Sequence, residues 1–86
     1  MYEIYEVENK EFYIKIDLID NQQIPHILER HHITPEIAIK AYFNITTESY
    51  NSVNMRYEAY SEELNITVYY AFKNNDQDKI LIISAF

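Results

Sequence analysis

The complete absence of glycine constrains the fold of this 86-residue chain more than any other feature of its sequence. Glycine adopts positive φ without a steric penalty, so each turn that needs such a conformation must here use another residue. Asparagine and aspartate tolerate positive φ best, and we expect them to occupy these positions. The absence also excludes the glycine-rich loops that cradle phosphates, and with them the nucleotide-binding motifs that depend on such loops.

The length fits one domain that spans residues 1–86, at a size where a hydrophobic core is only just sufficient. Nine tyrosines and four phenylalanines, in a chain that is 48% hydrophobic, supply the large apolar area that such a core needs. No cysteine is present, so we expect a cytoplasmic protein with neither a disulfide nor a thiolate metal site. No apolar run reaches the roughly 20 residues that span a bilayer, and no signal segment opens the chain, so we expect no membrane contact.

The charge of the chain favours basic partners. Fourteen acidic and seven basic side chains give a net charge of −7, which repels nucleic-acid phosphates but is also compatible with an ordinary soluble surface. The tyrosines could stack on bases, but such platforms need interleaved basic residues, and the neighbours here are mostly glutamates. The tyrosine excess therefore favours the core and a protein interface.

The N-terminal part of the chain predicts a β-hairpin and then a short helix. Residues 1–7 are rich in Tyr, Ile and Val, and residues 11–19 alternate apolar with polar side chains, which is the period of a half-buried strand. Residues 20–23 offer helix-capping side chains. They predict a short helix that ends at about Glu29 and holds Pro25 in its first turn.

A second helix is predicted from about Pro35 to Phe43. Thr34 is suited to the N-cap, Pro35 to the first helical position, and Glu36 brings an acid to the first turn, where the helix dipole favours it. The apolar residues that follow form one stripe, so this helix should pack against a sheet.

The remainder of the chain predicts three strands. The period returns to two between Tyr50 and Ala59, and two β-rich runs follow, at 66–72 and 79–85, separated by a polar turn. The last run is apolar at every position from Ile80 to Ile83, so we place it in the middle of the sheet with both faces covered. The sequence therefore predicts an α+β domain of order ββ-αα-βββ, a small antiparallel sheet with two helices on one face.

The only basic cluster, Arg30-His31-His32, lies at the predicted junction of the two helices. Three such side chains are costly to bury together, so at least two should be exposed and available as general acid, general base or phosphate contact. A solvated turn with one histidine packing as a cap is the alternative. A metal site is disfavoured because His31 and His32 are adjacent, and His26 lies further upstream without an acidic pair at a recognised spacing.

Arg56 is the second candidate functional residue. In the alternating pattern its side chain points away from the face that carries Tyr57. If that face receives the interhelix turn, Arg56, Arg30 and His31 could converge on one phosphate-sized site and stabilise the charge of a phosphorane. The alternative is a cross-strand ion pair with a neighbour of the Glu58 type.

The stretch from Glu29 to Phe43 resembles the basic-His-x-Ile-Thr-Pro-Glu-x-Ala segment of BrnT-type toxins, which are small ribonucleases of RelE-like fold. Arg56, the apolar strand at 66–72 and the closing Ile-Ile-Ser-Ala at 82–85 also resemble family features. The resemblance implies that Arg30 takes the place of the family's basic residue, His31 that of its histidine and Arg56 that of its strand arginine. It implies no cofactor.

Three departures from the family pattern keep a second function open. Phe86 stands where the family usually has an arginine, His32 replaces the usual glycine, and the balance of charge is acidic. The resemblance implies a toxin-like component of a type II toxin–antitoxin system that cleaves RNA without a metal and binds an antitoxin. The alternative is a non-enzymatic acidic protein, such as a phage-type inhibitor or nucleic-acid mimic, that binds a basic nucleic-acid-binding protein.

Overall fold

A computed structural model describes all residues from 1 to 86. Seven strands and two short helices make up the chain, in the order β1 (Tyr2–Val7), β2 (Lys10–Ile19), β3 (Gln22–Pro25), α1 (His26–His31), α2 (Pro35–Phe43), β4 (Thr47–Asn51), β5 (Arg56–Ser61), β6 (Ile66–Phe72) and β7 (Lys79–Ala85). A single 3-10 turn, Lys73–Asn75, lies between β6 and β7. Neither helix is long enough to cross a membrane.

The predicted order ββ-αα-βββ in an antiparallel sheet is wrong. Three strands precede the helices and four follow them, and the sheet has the strand order β1-β2-β7-β6-β5-β4 with β3 paired to β2. The pair of β2 with β7 is parallel, whereas all other pairs are antiparallel. The two helices and the four strands that separate β2 from β7 in sequence form the connection between these parallel neighbours.

The strand β3 replaces the predicted first half of the short helix. Asp20 and Asn21 adopt φ of 51° and 65°, which closes a two-residue hairpin turn and directs residues 22–25 back along β2. Helix α1 therefore begins only at His26, and it continues to His31 rather than ending at Glu29.

The segment predicted as one strand from Tyr50 to Ala59 is a hairpin of two strands. The carboxamide oxygen of Asn51 accepts hydrogen bonds from the backbone N–H groups of Val53 and Asn54, each at 3.0 Å, and this closes a turn. Met55 then adopts φ of 53° before β5 begins. The run of apolar residues in this region concealed the turn because the turn itself carries Val53 and Met55.

Nine residues have positive φ, and six of them are asparagine or aspartate. The expectation drawn from the absence of glycine is confirmed at these six positions, Asn9, Asp20, Asn21, Asn65, Asn74 and Asn75. The other three are Glu8, His32 and Met55. These three lack the short polar side chain that makes the left-handed region accessible, so their conformation is imposed by the surrounding structure.

One core of thirteen buried residues lies between the sheet and the helices. Phe12, Ile14, Ile80 and Ile82 supply the sheet's share at its centre, and Ile27 of α1 joins them. The prediction of a central last strand is confirmed, because β7 lies between β2 and β6. The prediction that both faces of β7 are covered is wrong, because no helix covers the second face and Ile83 is 36% exposed.

The second face of the sheet, which we call the open face, carries the side chains that alternate with the core residues. Register places on it Lys15 of β2, Leu81 of β7, Tyr69 of β6, and Arg56 and Glu58 of β5. Phe86 extends the pairing of β6 with β7 through two backbone hydrogen bonds to Thr67, at 2.8 and 3.0 Å, and so lies on the same face. Helix α1 ends beside this face.

Candidate functional site

Arg30 and His31 are exposed in the last turn of α1. His32 ends the helix in the left-handed conformation, with φ of 58° and ψ of 28°. Its N–H donates to the carbonyl of Leu28 at 3.0 Å, and the N–H of Ile33 donates to that of Ile27 at 3.3 Å, which satisfies two carbonyls at the helix end. This cap sets the direction in which the last turn presents its basic side chains.

An aromatic row leads from His31 across the open face. The ring of His31 lies 5.6 Å from the ring of Phe86, and Phe86 lies 5.1 Å from Tyr69 in an edge-to-face arrangement with an interplanar angle of 88°. Ring pairs in this geometry attract each other beyond the effect of their buried area. The two aromatic residues therefore join the end of α1 to the middle of the sheet.

Arg56 lies at the other end of this row. Its guanidinium is centred 4.2 Å from the middle of the Tyr69 ring, and its Nε donates to Glu58 Oε2 at 2.9 Å. The hydrogen bond from Asn51, followed by that from Arg56, lowers the pKa of the Glu58 carboxyl below its usual value. The ion pair that the sequence left as an alternative is thus present, although it joins two residues of one strand.

The structure places His31 and Arg56 on one face but does not bring the three predicted catalytic residues together. Phe86 and Tyr69 separate His31 from Arg56. Arg30 lies on the side of α1 that approaches Asp17, since its charge contributes to a lowered pKa of that carboxyl. The prediction that Arg56 points away from Tyr57 agrees with the register of β5.

A second group of titratable residues lies where β2 meets α1. His26, the first residue of α1, has its Nδ1 2.6 Å from Asp17 Oδ2. Both side chains are about three-quarters buried, with 27% and 25% of their surface exposed. The hydrogen bond from His26 is the largest cause of a lowered pKa at Asp17, and the charges of His26, Lys15 and Arg30 lower this pKa further.

His26 and Lys15 also border a cavity of about 260 Å³ in this part of the molecule. Its other lining residues are apolar or aromatic, namely Tyr2, Leu81, Ile82 and Ile83. The volume lies just below the roughly 300 Å³ at which pockets for drug-sized ligands begin. A cavity of this size fits a ribose–phosphate unit better than a complete nucleotide.

Five basic side chains lie on or beside the open face in two groups, with Lys15, His26 and Arg30 near Asp17 and with Arg56 and His31 at the ends of the Tyr69–Phe86 pair. We call these five residues together the basic surface. Two carboxylates lie within it, Asp17 and Glu58, and each is paired with one of its members.

The lysines at the opposite end of β2 have acidic or aromatic neighbours. Lys10 forms an ion pair with Asp78 at 3.1 Å, and the ammonium of Lys73 lies 4.9 Å from the centre of the Tyr13 ring. Lys79 is paired in register with Glu11. These three lysines and Lys40 of α2 make four of the chain's seven Lys and Arg residues, and all four lie outside the basic surface.

Sequence reasoning missed Asp17, Lys15, Tyr69 and Phe86 as parts of this region, and it considered His26 only as a metal ligand. The alternation of β2 already placed Lys15 and Asp17 on one face. The position of His26 could not be derived, because it depends on the hairpin between β2 and β3.

The residues offer no metal centre, because nowhere do three His, Asp or Glu side chains come close enough to hold an ion. No protein-family model, curated protein or solved structure matches the chain. The function therefore has to be argued from the basic surface and from the residues that resemble the toxin segment.

Proposed function

We propose that the protein is a toxin-like component of a type II toxin–antitoxin system, which acts in the cytoplasm and cleaves RNA without a metal. The observation that carries this proposal is that Arg56 and His31 lie at the two ends of the Tyr69–Phe86 pair on the open face of an acidic chain, with Arg30 in the same helical turn as His31. Cations beside aromatic rings offer contacts to phosphates and to bases.

The chemistry of RNA cleavage matches the groups on this surface. A guanidinium forms two parallel hydrogen bonds to phosphate and stabilises the charge that develops on a phosphorane, which are the roles proposed for Arg30 and Arg56. Histidine exchanges protons near neutral pH, the role proposed for His31. The resemblance of residues 29–43 to the toxin segment supports the assignments of Arg30 and His31, and the resemblance of Arg56 to the family's strand arginine supports the third.

The aromatic row adds a reason to favour RNA over a small phosphate ligand. Single-stranded nucleic acid binds where aromatic rings alternate with cations, because bases stack on the rings while cations contact the backbone. Arg56, Tyr69, Phe86 and His31 follow one another in a row, with two adjacent rings between the guanidinium and the imidazole. Phe86, which departs from the family's arginine, then contacts a base where the family would contact phosphate.

Growth after induced expression in a bacterial host tests the proposal. We expect the wild-type protein to arrest growth, and Arg30→Ala or Arg56→Ala to relieve the arrest. Lys40→Ala is the matched control, because Lys40 is an exposed cation on α2 outside the basic surface. Comparable protein levels in all strains are required. Harmless expression of the wild type would contradict the proposal, and so would relief by the Lys40 variant.

A second candidate, a non-enzymatic acidic protein that binds a basic partner protein, is favoured by two observations. Arg56 already has an acidic partner in Glu58. Only two of the fourteen carboxylates, Asp78 and Glu58, form ion pairs with Lys or Arg, so most of the negative charge is available to a partner. If this candidate is correct, expression of the wild-type protein is harmless to the host. A purified basic partner should dissociate as the salt concentration rises, because exposed charges are screened within about 10 Å at 0.1 M. Binding that is independent of salt would contradict this candidate.

A further inference from the structure

The Asp17–His26 pair has the arrangement that activates a histidine as a general base. A carboxylate can only accept hydrogen bonds, so the 2.6 Å contact places a hydrogen on Nδ1 of the neutral ring. The lone pair of that ring is then on Nε2. A carboxylate that orients an imidazole in this way is the part of a catalytic triad that fixes the tautomer and stabilises the imidazolium once it forms.

The Asp17–His26 pair lies next to a cavity in which a substrate can bind beside the histidine. His26 and Lys15 line the cavity, while Asp17 contacts His26 and only a quarter of its side chain is exposed. Cleavage of a phosphodiester is favoured by a cation that stabilises the charge on the phosphate and by a base that accepts a proton from the attacking hydroxyl. The ammonium of Lys15 and the imidazole of His26 supply these two groups at the border of one cavity. Leu81, Ile82 and Ile83 supply an apolar wall.

We infer that His26 is a catalytic general base for RNA cleavage, that Asp17 is its positioning residue, and that a ribose–phosphate unit occupies the cavity between them and Lys15. This inference rests on the proposed function and adds a residue that the resemblance does not assign. With His26 as the base, the role of His31, at the other end of α1, narrows from the proton exchange proposed above to binding of the RNA.

The reaction is an internal transesterification. His26 Nε2 accepts the proton of the ribose 2′-hydroxyl while the bond from O2′ to phosphorus forms and the bond from phosphorus to O5′ breaks. O5′ leaves as an alcohol by taking a proton from a water molecule, and the resulting hydroxide recovers the proton from His26. The products are a 2′,3′-cyclic phosphate and a 5′-hydroxyl. The ammonium of Lys15 stabilises the phosphorane charge in the intermediate.

Cleavage of a fluorescent single-stranded RNA by purified protein, in EDTA, tests the assignment. His26→Ala should lower kcat by about 10² to 10⁴-fold, the usual contribution of a general base. Added imidazole should restore part of the activity, which the loss of a purely structural contact would not allow. Asp17→Asn should lower kcat about ten- to a hundredfold with little change in KM, because it removes a charge-assisted hydrogen bond to the ring.

The matched control is His32→Asn. His32 is an exposed histidine that caps the opposite end of α1, it is outside the basic surface, and asparagine tolerates its left-handed conformation. This variant should cleave RNA as the wild type does. Circular dichroism should show that all variants retain the wild-type fold.

A binding measurement that does not need turnover completes the test. Uridine 3′-monophosphate should shift the NMR signals of the His26 ring and the Lys15 amide in the wild-type protein and leave the Lys40 amide unchanged. Cleavage by the wild type together with full activity of His26→Ala would overturn this inference and leave the proposed function standing. Absence of cleavage by the wild type would overturn both. A nucleotide that shifts no signal at His26 would overturn the cavity assignment.

Discussion

Replacing His32 by glycine should stabilise the protein, because this position closes α1 with a conformation that a side chain disfavours. The backbone of His32 has φ of 58° and ψ of 28°. Its side chain is exposed and makes no hydrogen bond, so the substitution removes no side-chain hydrogen bond. The two backbone hydrogen bonds that cap the helix can both persist in the variant.

Two opposing effects set the magnitude. Release of the left-handed penalty should contribute about 1–2 kcal/mol. The greater freedom of glycine in the unfolded chain should cost about 0.4–1 kcal/mol, so the net gain lies between about 0 and 1.6 kcal/mol, with a midpoint of about 0.8 kcal/mol. With an entropy of unfolding of about 2.1 cal/mol/K per residue, a gain at this midpoint raises the Tm of a chain of this size by about 4 °C.

Thermal unfolding followed by circular dichroism measures this shift, and His32→Ala is the comparison. Alanine removes the imidazole but keeps the Cβ atom, so its Tm should be equal to or below that of the wild type. A glycine variant that melts at or below the alanine variant would refute the reasoning. It would show that the left-handed cap is not formed at His32, and that the last turn of α1 presents Arg30 and His31 differently.

Three further predictions concern stability. Phe12→Ala should lower the free energy of unfolding by about 3–5 kcal/mol, because Phe12 is fully buried and its ring packs against those of Tyr42 and Phe43. Urea unfolding measures this loss, and a loss below about 1 kcal/mol would contradict the burial of Phe12 in the core. Burial, followed by the hydrogen bond to Glu48, raises the pKa of Tyr70. The phenol's contribution to stability is therefore complete below its unfolded pKa of about 10 and is lost as pH rises above that value. In Tyr70→Phe the urea midpoint should fall less steeply above pH 10 than in the wild type, and an unchanged slope would count against the burial. The pKa of Asp17 is lowered, mainly by its hydrogen bond with His26, so its contribution is present above its unfolded pKa of about 3.9 and is lost as pH falls through the lowered pKa of the folded state. Asp17→Asn should therefore lower stability more at pH 6 than at pH 2.5, and equal effects at both values would argue against the pair.

Local signals made α2 predictable, whereas non-local pairing hid much of the sheet. Thr34 caps α2 as predicted, with its Oγ1 accepting a hydrogen bond from the N–H of Ile37 at 3.2 Å, and the helix spans the predicted residues. These signals lie within four residues of each other. The parallel pairing of β2 with β7 joins residues more than sixty positions apart, and no local pattern distinguishes it from an antiparallel one.

The candidate site shows the same difference between features that local sequence signals predict and features that depend on non-local pairing. The face of Arg56 followed from the alternation of its strand, and the exposure of Arg30 and His31 followed from the cost of burying them. The pair of Asp17 and His26 could not be found in this way. Residues 22–25 carry two glutamines and a proline, which indicate no strand, so the hairpin that brings the pair together has no propensity signal.

Cleavage of a defined single-stranded RNA by the purified protein in EDTA tests the central claim most directly. We predict that the wild-type protein cleaves this RNA without a metal and that Lys40→Ala cleaves it at the wild-type rate. Arg56→Ala should slow cleavage by about 10² to 10³-fold, because one group that stabilises the developing charge is lost. An RNA that stays intact with the wild-type protein, or that is cleaved equally by the Arg56 variant, would contradict the account.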